Sequence, residues 1–144
     1  MLFEGNLSVN STRDKVWNFL YTPEKAVSCL PGFKDVRKEG DSYRVTGKTG
    51  IGFLKGDYKA NFRYSEVQQP SKVTLLATGS GMGGTMELKA EVNLEGDGPV
   101  NLRWSSEVKV GGSLASVGAR VVQGAAQRII EDLFQCVKEK VERT

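Results

Sequence analysis

One change of hydrophobic period, at Gly111-Gly112, divides this chain. Before it, apolar residues recur at every second position. Tyr58, Ala60, Phe62 and Tyr64 alternate with Lys59, Asn61, Arg63 and Ser65; Met86, Leu88, Ala90, Val92 and Leu94 alternate with Glu87, Lys89, Glu91, Asn93 and Glu95. Val100, Leu102, Trp104, Val108 and Val110 continue the pattern. A period of two sends successive side chains to opposite faces, so each run reads as a half-buried antiparallel strand. Turn sequences separate the runs: Glu39-Gly40-Asp41, Gln69-Pro70-Ser71 and Gly96-Asp97-Gly98-Pro99. Six strands are predicted between residues 33 and 110, and residues 2 to 9, with Leu2, Leu7 and Val9, add a seventh.

After the glycine pair the spacing turns helical. Leu114, Val117, Val121, Ala125, Ile129, Leu133, Cys136 or Val137, and Val141 form one stripe. The spacing predicts a helix from about residue 114 to 141, roughly 42 Å long at 1.5 Å per residue. Two short helices precede the sheet. Asn10-Ser11-Thr12 supplies capping oxygens before Val16, Trp17, Phe19 and Leu20; Pro23-Glu24 suits a helical first turn, and Leu30-Pro31-Gly32 ends the segment. Strands followed by a helix argue α+β: a seven-stranded curved antiparallel sheet around a long C-terminal helix, in one domain over residues 1–144. Burial of about six stripe residues at ~1.5–3 kcal/mol each predicts docking worth on the order of 10–15 kcal/mol.

The composition excludes several functions. Twenty Lys and Arg against 17 Asp and Glu give a formal charge of +3, spread without the basic stripe of a nucleic-acid binder. The absence of histidine removes the commonest general base and metal ligand. The two cysteines, Cys29 and Cys136, have no C-x-x-C spacing and are expected as free thiols. Met1-Leu2-Phe3-Glu4-Gly5 does not read as a signal peptide, and no apolar run reaches the ~18 residues of a membrane span. A cytoplasmic protein is expected. Gly79-Ser80-Gly81-Met82-Gly83-Gly84 lacks the Gly-Lys-Ser/Thr ending of a phosphate-binding loop, and neither metal nor cofactor is expected.

Glycines suggest where the sheet bends and where space could open. Gly47, Gly50, Gly52 and Gly56, with Gly79, Gly81, Gly83 and Gly84, permit bending. Gly118, Ala119, Gly124, Ala125 and Ala126 crowd the first half of the helix, and bulk returns at Ile129, Ile130, Leu133 and Phe134, which read as the packed end. The first half is either pressed close on the sheet or borders a void. A void would be lined by Phe33, Ile51, Phe53, Tyr58, Leu75, Met82, Met86, Trp104, Leu114, Val117, Gly118 and Val121, with Leu30, Pro31 and Gly32 at its mouth. Gly118→Phe is then expected to block it. The typical size is ~300–1,000 Å³.

Several segments together resemble a known family. These are F-E-G-N at 3–6, V-W at 16–17, C-L-P-G at 29–32, K-T-G-I-G-F-L-K-G at 48–56, G-S-G-M-G-G at 79–84 and V-K-V-G-G-S-L-A-S-V-G-A-R at 108–120. The chain resembles the family of the carbon monoxide dehydrogenase G subunit, within the START-like, birch-pollen-allergen-like superfamily of helix-grip proteins. The resemblance implies a non-catalytic accessory protein that serves a molybdenum hydroxylase and binds a lipid or quinone in an apolar cavity. It also implies a link to membrane recruitment. Longer members carry a C-terminal extension that can anchor them; this sequence stops at Glu142-Arg143-Thr144, so at most a transient, peripheral contact at the inner face of the membrane is expected. Relatives on the fold include cyclases and isomerases, and a chaperone-like protein-binding module is a further alternative.

Overall fold

A computed structural model describes residues 1–51 and 54–144. Seven strands form one sheet: β1 (Leu2–Val9), β2 (Phe33–Glu39), β3 (Ser42–Ile51), β4 (Leu54–Gln68), β5 (Lys72–Gly81), β6 (Gly84–Glu95) and β7 (Val100–Gly112). Every pairing is antiparallel, in the order β1-β7-β6-β5-β4-β3-β2. Strands β2 to β6 each pair with the next in sequence, and β1 pairs with β7. The alternation of polar and apolar residues thus becomes one continuous inward face.

Helix α1 (Arg13–Leu20) and the single turn α2 (Pro23–Ala26) follow β1, and a 3-10 turn over Val27–Cys29 completes the crossing to β2. Thr12 caps α1, its hydroxyl accepting from the Lys15 amide at 3.3 Å. The apolar face of α1, with Val16, Trp17, Phe19 and Leu20, enters the main core beside Val73, Val92, Leu102 and Trp104. A smaller cluster around Val27, Val45 and Phe62 fills the β2–β3 side.

The C-terminal helix is broken where the stripe predicted continuity. The chain forms α3 (Ser113–Ser116), leaves helical geometry at Gly118 (φ 114°, ψ 138°), and resumes as α4 (Ala119–Glu142). Gly118 takes a positive-φ conformation that a helix cannot include, and glycine reaches it without a Cβ penalty. The burial is also lopsided. Residues 115–121 are all exposed, and the buried residues of α4 are Val122, Phe134, Val137 and Val141. Four buried side chains in place of six put docking at about 6–12 kcal/mol.

The second half of α4 carries its attachments. The Phe134 ring stacks on Trp104 with centroids 4.4 Å apart. Trp104 in turn lies over Gly5, where an added Cβ would fall 2.2 Å from the indole. Lys140 Nζ donates to Ser28 Oγ at 3.0 Å, and the Asn10 amide donates to Glu142 Oε2 at 2.7 Å. A disulfide, Cys29–Cys136, ties the 3-10 turn to α4 with Cα atoms 5.7 Å apart. The expectation of two free thiols is therefore corrected. The partners are separated by 107 residues, so no local spacing announces the bond, and the crossing of the turn over α4 creates it.

Candidate functional site

Between the sheet and the α3–α4 segment, a cleft of about 200 Å³ opens. Its floor comes from Leu54, Tyr58 and Ala60 of β4, Gly79 to Gly81 of β5, and Gly84 to Met86 of β6. Met82 closes the hairpin end, Leu114 and Ile129 overhang, and Leu30 and Pro31 form a lip. The wall is almost wholly apolar. A larger hollow of about 450 Å³ lies on the outer sheet face, but Arg63, Glu87, Lys89, Glu107 and Lys109 line it, and it suits an apolar guest poorly.

The lip is bolted to the sheet. Tyr58 Oη donates to the Pro31 carbonyl at 2.7 Å, and the Lys48 amide donates to the Gly32 carbonyl at 2.9 Å. Two glycines make this approach possible. At Gly47 a Cβ would stand 2.4 Å from Tyr58 Oη; at Gly32, held at φ +58°, it would overlap the Lys48 carbonyl. Burial raises the Tyr58 pKa above the ordinary tyrosine value, so its hydroxyl remains a neutral donor. The floor is open for a related reason. Gly79 pairs with Ala60 and Met86, and a Cβ there would meet nothing nearer than Met86 Cε at 3.4 Å.

The structure brings Tyr58, Met82, Met86 and Leu114 together on the cleft, with Leu30 and Pro31 at its lip. Other residues expected there are elsewhere. Phe33 and Leu75 pack in the cluster around Val27, Val45 and Phe62. Trp104 sits on the other flank of α4, where a hollow of about 220 Å³ is bordered by Phe3, Gln127 and Ile130. Val117 and Val121 are 41% and 48% exposed: Val117 precedes the break at Gly118, and Val121 lies on the open side of α4 while its neighbour Val122 is buried. Gly118 is exposed and is not among the residues lining the cleft, and nothing lies within 4 Å of a Cβ there. Gly32 supports the lip from behind through Lys48. The Ile51 side chain and Phe53 lie outside the described residues.

Thr49, Leu54, Ala60, Gly79 and Ile129 also line the cleft, beyond the residues expected there. Ala60 shares the inward phase of Tyr58, a signal that is legible in the alternation. Gly79 is reached only through strand register, since its place depends on pairing with both β4 and β6. Ile129 belongs to the apolar stripe, but the return of bulk at that point disguises it as part of the packed end.

Residues 5–142 match the family described as the G subunit of carbon monoxide dehydrogenase (CoxG). Among solved structures, a conserved protein from Geobacillus kaustophilus is 26% identical with a TM-score of 0.92, covering 99% of this chain and 96% of its own. A START superfamily protein from Mycobacterium smegmatis is 12% identical with a TM-score of 0.76, covering 99% and 97%. A protein from Thermus thermophilus is 10% identical with a TM-score of 0.71, covering 98% and 97%. No curated protein matches the chain. The fold is START-like.

Proposed function

The chain belongs to the CoxG family, that of the carbon monoxide dehydrogenase G subunit. We propose that this member is a non-catalytic accessory protein that holds a lipid or quinone by its apolar part in the sheet–helix cleft. It serves a carbon monoxide dehydrogenase-type molybdenum hydroxylase by presenting that molecule or by recruiting the enzyme to it. The apolar wall of the cleft is the observation that carries this reading. Apolar walls hold water poorly. On the scale of ~24 cal/mol per Å³ for unfilled space, 200 Å³ left dry would cost up to about 5 kcal/mol, which a guest would recover.

The volume falls below the ~300–1,000 Å³ of typical ligand sites, so a long tail would extend past the cleft, along the exposed start of α4. Tyr58 is the natural partner for a ligand carbonyl, since its neutral hydroxyl could exchange the Pro31 carbonyl for one on the guest. We place the protein in the cytoplasm, with at most a peripheral contact at the inner face of the membrane. Among the described residues, no helix is long and apolar enough to cross a membrane.

The test is a titration of N-phenyl-1-naphthylamine, an uncharged fluorophore, followed by displacement with a long-chain quinone. Micromolar or tighter binding is expected, and Gly79→Leu should weaken it at least tenfold, because the added Cβ meets no backbone atom nearer than 3.5 Å and the rest of the side chain fills the floor. Lack of binding at tens of micromolar, or an unchanged affinity in folded Gly79→Leu, would refute the assignment.

A further inference from the structure

The disulfide is anchored one residue before the lip of the cleft. Cys29 directly precedes Leu30 and Pro31, the lip. Cys136 lies seven residues beyond Ile129 on α4, roughly 10 Å further along the helix axis. The bond therefore joins the overhanging helix to the lip, while the Tyr58–Pro31 and Lys48–Gly32 hydrogen bonds join the lip to the sheet. Helix, lip and sheet form a closed ring of attachments around one end of the cleft. The disulfide is the covalent link that closes this ring.

We infer that Cys29–Cys136 is a redox-operated clasp on the cleft: a dithiol reductant opens it and removes the covalent tie between the lip and α4, leaving the turn held to the helix by the Lys140–Ser28 hydrogen bond while the fold persists. In the step, the reductant's two thiols are oxidised to a disulfide. The Cys29–Cys136 bond breaks, and both sulfurs leave as thiols with the two electrons and two protons transferred. Cys29 is buried and Cys136 only partly so, which leaves one side of the bond approachable. The helix does not depart on opening. Phe134, Val137 and Val141 keep it in the core, and Lys140 keeps its bond to Ser28. What loosens is the short stretch in which the Leu30 amide donates to the Val27 carbonyl and the Phe33 amide to the Leu30 carbonyl, at 3.0 and 3.3 Å. This inference concerns the lip and holds whichever molecule fills the cleft.

Hydrogen exchange on the intact protein, oxidised and then reduced with dithiothreitol, separates local opening from general destabilisation. The Leu30 and Phe33 amides should accelerate at least tenfold more than those of the β5–β6 ladder. A common factor at all sites, or no change at the lip, would overturn the clasp. Release of N-phenyl-1-naphthylamine should be at least fivefold faster from the reduced protein, and equal rates would overturn its control of the cleft. If neither form binds the fluorophore, the proposed carrier function falls, and the exchange result still decides the clasp. Cys29→Ala/Cys136→Ala should reproduce the reduced behaviour; should that variant not fold, the dithiothreitol-reduced protein carries the test.

Discussion

Val121 and Val137 are the same residue type on the same helix, but sixteen residues at roughly 100° each put them about 160° apart around it, and Val121 is 48% exposed where Val137 is 1% exposed. Truncating each to alanine measures how much of the docking of α4 rests on its buried face. Val137→Ala removes two buried carbons from among residues of the main core, a transfer loss of ~1.6 kcal/mol at ~0.8 kcal/mol per methylene. A residual void of roughly 40 Å³ adds about 1 kcal/mol at ~24 cal/mol per Å³. The expected total is about 2–3 kcal/mol. For a chain of this size that lowers the melting temperature by roughly 6–12 °C. Val121→Ala takes away a side chain that is half in water already, and the expected loss is under about 0.5 kcal/mol. Urea unfolding followed by far-ultraviolet circular dichroism gives both values, with unchanged m-values showing that each variant still unfolds in two states. Losses equal within about 0.5 kcal/mol would refute the assignment of Val137 to the buried face of α4 and of Val121 to its open face.

Three further outcomes are expected. Gly32→Ala puts a Cβ into the Lys48 carbonyl at a left-handed φ, and should cost about 2–4 kcal/mol in urea unfolding through strain and the lost lip hydrogen bond. Glu142 accepts from the Asn10 amide and faces Lys138, which lower its pKa below the ordinary glutamate value; its contribution is present above the unfolded value and lost as pH falls through the folded one. Glu142→Gln should therefore reduce the acid-side loss of stability seen in melts between about pH 5 and pH 3. Tyr64, which donates to the Leu20 carbonyl at 2.8 Å, has its pKa raised by burial first and by the neighbouring Tyr43, Tyr21 and Glu24. Its contribution is complete below the unfolded value near ~10 and lost as pH rises above it. Tyr64→Phe should cost about 1 kcal/mol at neutral pH and flatten the alkaline limb of the stability profile.

The architecture was legible because strand and helix periods differ and the switch at Gly111-Gly112 is abrupt. The seven strands and the packing of a long C-terminal helix on the sheet follow from it, and the two short helices follow from the capping residues 10–12 and from Pro23-Glu24. The cleft was legible only in part. Tyr58, Met82, Met86 and Leu114 could be placed by phase and by neighbouring glycines. Trp104 has the correct inward phase but stands at another level of the sheet, where it meets Phe134. Phase identifies a face, and register with the adjacent strand identifies a level; a single sequence carries the first much more clearly than the second. The interruption at Gly118 was hidden because a lone glycine within a helical stripe is usually tolerated. The disulfide was hidden by its separation of 107 residues.

The pairing of the first strand with the last imposes an order of events on synthesis. Leu2 faces Glu107 across the β1–β7 ladder, so β1 emerges from the ribosome some hundred residues before its partner. At about 5–20 residues per second, that interval is roughly 5–20 s. The hairpins β2 to β7 form between sequence neighbours and can assemble as they appear, whereas closing β1 onto β7 is a non-local step with a large loop entropy. Through that interval Phe3 and Val9, both buried in the finished protein, have no sheet to enter. The nascent chain therefore presents its N-terminal strand as its longest-lived sticky segment, and that strand is where a chaperone would have most to cover.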